Sequence, residues 1–156
     1  KSGRTLSACD RNIHPHRGSR SMIDMPALPP YARALDMRIV DELDGAPVIA
    51  MPFADRVQGR PGFLHGGAIS GLLEIAAIAA IHRALRAKGS DSAIKQVNVT
   101  VDFMRGGVNE MTYAIGEVTR LGRTMANVEA RAWQEDRDKP IAMGYMHYLI
   151  KAKRPV

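Results

Sequence analysis

The sequence predicts an α+β fold in which an antiparallel sheet wraps around one long central helix. A proline-free segment from about 67 to 87 is dominated by alanine and leucine, and Gly89 follows it as a stop signal. Segments on both sides read as strands separated by short turns. Two strands, one helix and a further run of strands fit a sheet packed on a helix in two layers.

The chain before the helix divides into a tail and the first part of one domain. Residues 1–25 are rich in Ser, Arg, His and Gly and lack apolar periodicity, so we predict a disordered basic tail, with the domain spanning 26–151. Asp44-Gly45 readily adopts the positive φ values of a tight hairpin. The elements predicted here are a helical turn over 31–35, strands over 36–43 and 47–54, and a loop over 55–64.

The chain after the helix reads as strands throughout. Polar and apolar residues alternate from 96 to 103, which is the period of a half-buried strand. The remaining predicted strands cover 111–120, 124–134 and 141–150, with short turns between them.

The predicted helix is apolar on every side between Gly66 and Ile81, apart from Ser70 and Glu74. A surface helix would show one apolar stripe and one polar face, so this helix must be enclosed. A single six-stranded sheet leaves part of it uncovered, and we therefore expect a second subunit to complete its burial.

Charge and cysteine content narrow the functional class. The net charge of +6 comes from the two ends of the chain, and residues 21–150 are nearly neutral, so no specific nucleic-acid partner is expected. The single cysteine, Cys9, excludes an intrachain disulfide and favours a reducing, cytoplasmic location. No uninterrupted apolar run reaches the length of a membrane span, so we expect a soluble protein with no membrane partner.

Metal and cofactor motifs are also missing from the sequence. His14 and His16 lie in the tail with no third ligand nearby, and the chain has neither zinc-ligand spacing nor a phosphate-binding glycine loop. We expect no metal and no cofactor.

Glu74 is the residue that most needs an explanation, because burying an unpaired carboxylate costs several kcal/mol. It could form a buried ion pair with Arg83, Lys95 or Arg105, or lie at a hydrated seam between subunits. Alternatively, it faces a cleft as a nucleophile or general base, where partial desolvation raises its basicity. The neighbouring motif favours the second interpretation.

That motif is His65-Gly66-Gly67, at the entry to the helix. The first amides of a helix have no internal partner and carry partial positive charge, so they can stabilise the oxyanion formed when a thioester carbonyl is attacked. The two glycines could equally serve only a tight turn. Glu74 follows Gly66 by eight residues, about 12 Å along a helix axis. Either the substrate leans along the helix, or the helix starts later than Gly66.

Residues 63–74 resemble the helix-entry motif of hotdog-fold acyl-CoA thioesterases of the phenylacetate-pathway and 4-hydroxybenzoyl-CoA type: HGG, followed by an acidic residue nine positions after the histidine. Residues 99–105 resemble the strand after the helix, and 118–124 resemble a later strand-turn-strand. The resemblance covers about 33–150. It implies a hotdog fold, hydrolysis of an acyl-CoA substrate, and assembly as at least a homodimer, more specifically a dimer-of-dimers homotetramer.

The resemblance also implies residue roles. Gly66 supplies the amide that polarises the thioester carbonyl, with Gly67 beside it at the substrate. Glu74 attacks the carbonyl or activates water, and His65 shapes the helix entry. Two positions depart from the family: Gly59 replaces the Asn or Gln common six residues before the histidine, and Ile78 replaces a hydroxyl residue one turn after the acid. Gln58, next to Gly59, is the candidate to hold the thioester or the water.

Further substrate contacts are expected from other segments. Gln96 and Asn98 are candidates to reach the active site of a partner subunit, although they could equally lie on the solvent face of their strand. Arginine suits the phosphates of coenzyme A, and Arg105 and Arg123 lie where the resemblance places the nucleotide, as does Arg120.

Two other functions fit the same fold. One is a non-catalytic module that binds acyl-CoA, and the other is an enoyl-thioester hydratase or dehydratase that uses His65 beside a carboxylate. The acyl group depends on which apolar residues line the cleft; the candidates are Met51, Phe53, Leu73, Ala77 and Met104.

Overall fold

The computed structural model describes residues 28–151. The predicted tail over 1–25 lies outside the described residues, as do Cys9, His14 and His16. The elements in chain order are helix α1 (Pro30–Ala34), strands β1 (Arg38–Leu43) and β2 (Ala46–Met51), a 3-10 turn (Asp55–Val57), strands β3 (Gln58–Arg60) and β4 (Phe63–Leu64), helix α2 (Gly66–Ala87), and strands β5 (Ala93–Phe103), β6 (Thr112–Leu121), β7 (Met125–Trp133) and β8 (Ala142–Lys151).

The six long strands form one sheet in the order β1-β2-β6-β7-β8-β5, and every pairing in it is antiparallel. This confirms the predicted fold class. The predicted hairpin is also confirmed, since Asp44 and Gly45 have φ values of 53° and 76°. Strand β5 follows α2 in sequence but lies at the sheet edge beside β8, so β1 and β5 form the two edges.

Helix α2 lies on one face of the sheet and packs mainly against β6, β7 and β2. Gly116 of β6 permits this close approach, because a Cβ there would lie 2.7 Å from the carbonyl oxygen of Ala76. By length and composition α2 meets the requirement for a membrane span, contrary to the expectation from sequence, but 61% of its most apolar stretch is buried inside the fold. The apolar side chains of α2 therefore form the centre of the hydrophobic core.

The predicted loop over 55–64 is wrong in part, since it contains the 3-10 turn and the β3–β4 pair. Hydrogen bonds to other parts of the fold order this segment, although its glycines and proline favour irregular structure. Leu64 N–H donates to the carbonyl of Gly107 at 2.9 Å, and His65 N–H donates to the carbonyl of Val57 at 2.8 Å. These bonds attach the residues directly before α2 to the 3-10 turn and to the loop after β5.

Candidate functional site

The first turn of α2 leaves one amide without an acceptor. His65 is the N-cap, and its Nδ1 accepts the N–H of Gly67 at 2.9 Å. The next two amides, of Ala68 and Ile69, donate to the carbonyl of His65. Within residues 28–151, the N–H of Gly66 has no hydrogen-bond acceptor. The start of α2 therefore offers one free donor, at the end where the helix dipole is positive.

A cavity of about 420 Å³ opens beside this amide. Phe103 and Met104 are 55% and 57% exposed, although both are large and apolar. Arg105 also lines the cavity, so the structure brings together two predicted site residues, Gly66 and Arg105, that are far apart in sequence. The cavity combines an apolar wall with a guanidinium group and a free amide. Its lining residues are Leu64, Gly66, Ile69 and Phe103–Gly107.

Glu74 lies on the stripe of α2 that the sheet does not fully bury. Gly67, Gly71 and Glu74 follow one another at helical spacing, and none of the three is buried, whereas most other positions of the helix between 68 and 81 are. Among the described residues Glu74 forms no salt bridge or hydrogen bond. Arg83, one of the cations considered as its partner, instead donates to Glu42 at 2.7 Å.

The helix begins at Gly66, which rules out the later start. Glu74 is therefore about 12 Å from Gly66 along the axis of the same helix.

Tyr148 is a polar neighbour of Glu74 that the sequence analysis missed. Its side chain is 1% exposed, and its hydroxyl donates to the sulfur of Met146 at 3.4 Å. Burial, together with the negative charge of Glu74, raises the pKa of Tyr148 well above its ordinary value. The tyrosine therefore remains neutral near the carboxylate. A buried tyrosine in a strand carries no sequence signal that distinguishes it from core packing.

Gln58 lies close to the helix entry, but its side chain is turned into its own loop. Its Nε2 donates to Asp55 at 2.9 Å, and its Oε1 accepts the N–H of Gly62 at 2.9 Å. Gly59 packs on the helix entry, where a Cβ would lie 3.1 Å from the Cα of His65. The amide of Gln58 is thus engaged at both ends.

Gln96 and Asn98 are separated by a β-bulge. Gln96 pairs with Tyr148 and Asn98 with His147, which are consecutive residues of β8. Because consecutive strand residues point to opposite faces, Gln96 lies on the helix side of the sheet and Asn98 on the outer face. The Nε2 of Gln96 is buried and has no hydrogen-bond partner within the described residues, whereas Asn98 is exposed.

Arg123 and Arg105 lie at opposite ends of the sheet. Arg123 is in the β6–β7 turn, next to the pairing of Met125 with Leu149, while Arg105 follows the pairing of Phe103 with Ala142. The β7–β8 ladder between these ends corresponds to roughly 20 Å of strand. One chain does not bring the two arginines to a single nucleotide.

The five residues predicted to line the acyl pocket do not lie together. Met51, Leu73 and Ala77 are fully buried in the core, so they line no open cleft in this chain. Phe53 is half-buried and Met104 borders the cavity beside Gly66. A larger cavity, of about 710 Å³, lies near the C-terminal half of α2, and no predicted site residue lines it. Within residues 28–151 no cluster of three or more His, Cys, Asp or Glu residues could hold a metal ion.

The sequence and fold are similar to those of known proteins. A family model described as "Thioesterase superfamily" matches residues 61–141. A Chromobacterium violaceum protein is 30% identical, with 80% of this chain and 85% of that chain covered and a TM-score of 0.62. No curated protein matches the sequence.

Two further solved structures show the fold alone. A Bacillus halodurans protein, solved with CoA, is 17% identical, with 83% of each chain covered and a TM-score of 0.72. A Shewanella oneidensis protein, described as related to the thioesterase superfamily, is 19% identical, with 78% of this chain and 87% of that chain covered and a TM-score of 0.69. The predicted hotdog fold is confirmed.

Proposed function

Because the chain belongs to the thioesterase superfamily, we propose that it hydrolyses an acyl-CoA thioester to a free acid and CoA. The observation that carries the proposal is the free N–H of Gly66 at the start of α2, beside an open cavity. The Bacillus halodurans structure with CoA supports coenzyme A as the thiol portion of the substrate.

Two groups carry out the proposed reaction, the Gly66 amide and the Glu74 carboxylate. The thioester oxygen accepts the N–H of Gly66, and the positive end of the helix dipole stabilises the negative charge that develops on this oxygen. Glu74 either attacks the carbonyl carbon or removes a proton from the water that attacks it. Collapse of the tetrahedral intermediate breaks the C–S bond, and the CoA thiolate takes up a proton. Where Glu74 is the nucleophile, water then hydrolyses the acyl–glutamyl anhydride and restores the carboxylate. The net reaction consumes one water and releases the acid and CoA.

His65 acts by positioning. Its Nδ1 is occupied by the N–H of Gly67, which fixes the first turn of α2 and the direction of the neighbouring amide. Within one chain Glu74 is about two helical turns from His65, so hydration of an enoyl thioester, which needs a histidine beside a carboxylate, would also require a second subunit.

The 12 Å between Gly66 and Glu74 points to a site shared by two subunits. A reacting carbonyl carbon must lie about 3 Å from both the oxyanion donor and the nucleophile, so one chain cannot supply both groups to it. We propose that Glu74 of one subunit acts on a carbonyl held by Gly66 of a second subunit. The assembly is a homodimer, and two dimers form the tetramer.

Strand β5 is the proposed dimer edge. It has eleven residues and one side that no strand within residues 28–151 pairs with, and Val97, Val99 and Phe103 on it are about half exposed. Such an edge is ordinarily covered or paired. Arg105 is the proposed phosphate contact beside the cavity. Asn98 and Arg123 would reach a substrate bound to the second subunit, whereas the buried amide of Gln96 faces the helix side of its own chain.

Replacement of Glu74 by Gln tests the reaction. We expect Glu74→Gln to lower kcat by about a hundredfold or more in a thiol-release assay over a panel of acyl-CoAs, while the affinity for substrate stays close to wild type. The exposed Glu117→Gln is the control. Near-normal kcat in Glu74→Gln would refute the mechanism. Tight binding without turnover by the wild type would establish the non-catalytic module instead.

Mixing inactive variants tests the shared site. If Glu74→Gln and Gly66→Pro chains are unfolded and refolded together, half of the dimers contain one of each. Each of these has one site with both groups intact, so about a quarter of wild-type activity should return. A site contained within one chain would regain none.

A further inference from the structure

Gln134, directly after strand β7, holds the loop over 104–111 that connects β5 to β6. Its Oε1 accepts the N–H of Val108 at 3.0 Å, and its Nε2 donates to the carbonyl of Val108 at 3.0 Å. The same Nε2 donates to Oγ1 of Thr112 at 3.0 Å and to the carbonyl of Glu110 at 3.4 Å. One side-chain amide therefore satisfies both backbone groups of Val108 and reaches two further residues of this connection.

The backbone that carries Gln134 is rigid. Trp133, the preceding residue, is 1% exposed, and it pairs with Tyr113 of β6 in the sheet. The two rings stack with their centroids 5.9 Å apart. Thr112, the residue before Tyr113, is fully buried. Gln134 therefore extends from a fixed end of the β6–β7 ladder, and its amide holds the β5–β6 loop to this end of the sheet.

The other side of the β5–β6 loop contacts the residues directly before α2. The carbonyl of Gly107 accepts the N–H of Leu64 at 2.9 Å, and Val108 forms a β-bridge with Phe63. A Cβ on Gly107 would lie 2.6 Å from Cδ1 of Leu64, so the loop packs closely against this segment. The loop thus lies between the amide of Gln134 and the entry of α2.

The first half of the loop is a wall of the cavity beside Gly66, since residues 104–107 all line that cavity. The first two amides of this stretch donate to the carbonyl of Ile141, at 2.8 and 3.1 Å. The next two residues are both glycine, whose backbone is the least restricted. The shape of the wall therefore depends on the next fixed point along the chain, which is Val108 in the grip of Gln134.

Resting on the proposed function, we propose that Gln134 is a positioning residue for substrate binding. It holds the β5–β6 loop so that the cavity wall, including Arg105, keeps the shape that an acyl-CoA needs. The two catalytic groups belong to α2, which is held independently by the sheet and by the bond from the His65 N–H to the Val57 carbonyl. Loss of the Gln134 amide therefore weakens substrate binding and spares the chemical step.

The test separates KM from kcat in the thiol-release assay. Gln134→Leu replaces the amide by an apolar group of similar size, and it should raise KM by about tenfold while kcat stays within about threefold of wild type. Glu135→Leu, at the next and exposed residue, is the matched control and should leave both constants unchanged. A rise in KM of less than about threefold overturns the proposal, and so does a loss of kcat larger than the rise in KM.

Gln134→Glu tests the hydrogen bonds themselves. An ionised carboxylate still accepts the N–H of Val108, but its second oxygen faces the carbonyl oxygens of Val108 and Glu110 and donates to neither. Protonation restores one donor, so the ratio of variant to wild-type KM should be high at about pH 8 and fall at about pH 5. The ratio for Gln134→Leu should not depend on pH. A pH-independent ratio for Gln134→Glu would contradict the assigned bonds.

Hydrogen exchange tests the role of Gln134 without relying on catalysis. The N–H of Leu64 is bonded to Gly107, on the far side of the loop from Gln134. Gln134→Leu should speed exchange at Leu64 by about tenfold or more, because the loop opens locally. The N–H of Ile150, bonded to Thr124 at the other end of the sheet, should keep its wild-type rate. Unchanged exchange at Leu64 overturns the role of Gln134, whatever the activity.

Failure of the proposed function is therefore visible separately. If the wild type hydrolyses no acyl-CoA while exchange at Leu64 responds, the reaction is refuted and the hold of Gln134 on the loop stands. The dissociation constant of CoA, measured by calorimetry, should then be raised about tenfold by Gln134→Leu and not by Glu135→Leu. An affinity for CoA that is the same in wild type and Gln134→Leu overturns the role in binding.

Discussion

Gly66→Pro would remove the proposed oxyanion donor while leaving the fold almost unperturbed. Proline carries its ring Cδ in place of the amide hydrogen, and the N–H of Gly66 has no acceptor within the described residues, so the fold loses no hydrogen bond. Gly66 is the first residue of α2, a position where proline is favoured. His65, the preceding residue, already has φ −71° and ψ 135°, as a residue before proline requires.

The expected effect on catalysis is much larger than the effect on stability. Loss of one oxyanion donor lowers kcat by about a hundredfold to a thousandfold. A Cβ at position 66 would lie 3.3 Å from Cζ of Phe103, but that side chain is 55% exposed and has room to move. We therefore expect the free energy of unfolding to change by less than about 1 kcal/mol.

Gly66→Ala is the matched control, because it adds the same Cβ and keeps the N–H. The assay is thiol release at saturating acyl-CoA, with the unfolding free energy measured in urea for both variants. The prediction is that Gly66→Ala retains most of its kcat while Gly66→Pro loses it. Equal kcat values in two folded variants would refute the assignment of the Gly66 amide as the oxyanion donor.

Three further predictions concern stability. His65→Ala removes the cap on Gly67 and should lower the free energy of unfolding in urea by about 1 kcal/mol, whereas His65→Asn, with a capping side chain, should lose less. The fold raises the pKa of Tyr148 above its ordinary 10.0, so the unfolded chain ionises first and the free energy of unfolding should decline as the pH rises above 10. Urea unfolding from pH 8 to 11 should show a smaller decline for Tyr148→Phe than for the wild type. Equal declines would contradict this. Gly116→Ala places a methyl group 2.7 Å from a backbone oxygen of α2 and should cost about 1–3 kcal/mol by the same urea assay, more than Gly106→Ala, where the nearest atoms are at 3.3 Å on the ring of Phe63.

The central helix and the motif at its entry could be predicted from sequence because their signals are local. The HGG motif, the acid nine residues after its histidine and the proline-free segment lie within one stretch of chain, and helix geometry fixes their spacing. The strands were predicted to within a few residues at most ends, because apolar alternation and turn residues are also local signals.

Contacts between distant segments were beyond the reach of such patterns. The β5 bulge places Gln96 and Asn98 on opposite faces, although their alternation suggested a shared face. The two candidate nucleotide arginines, Arg105 and Arg123, lie at opposite ends of the sheet.

The sequence by itself determined the class of fold, the central helix and the acid within it. Only the tertiary structure decided that a cavity lined by Arg105 opens beside Gly66, and that Tyr31 lies over Gly71 forty positions away. The physical reason is the range of the interactions. Periodicity and capping act over one or two turns of chain, whereas an amide without an acceptor, or a glycine that admits a ring, is defined by what the rest of the fold brings beside it.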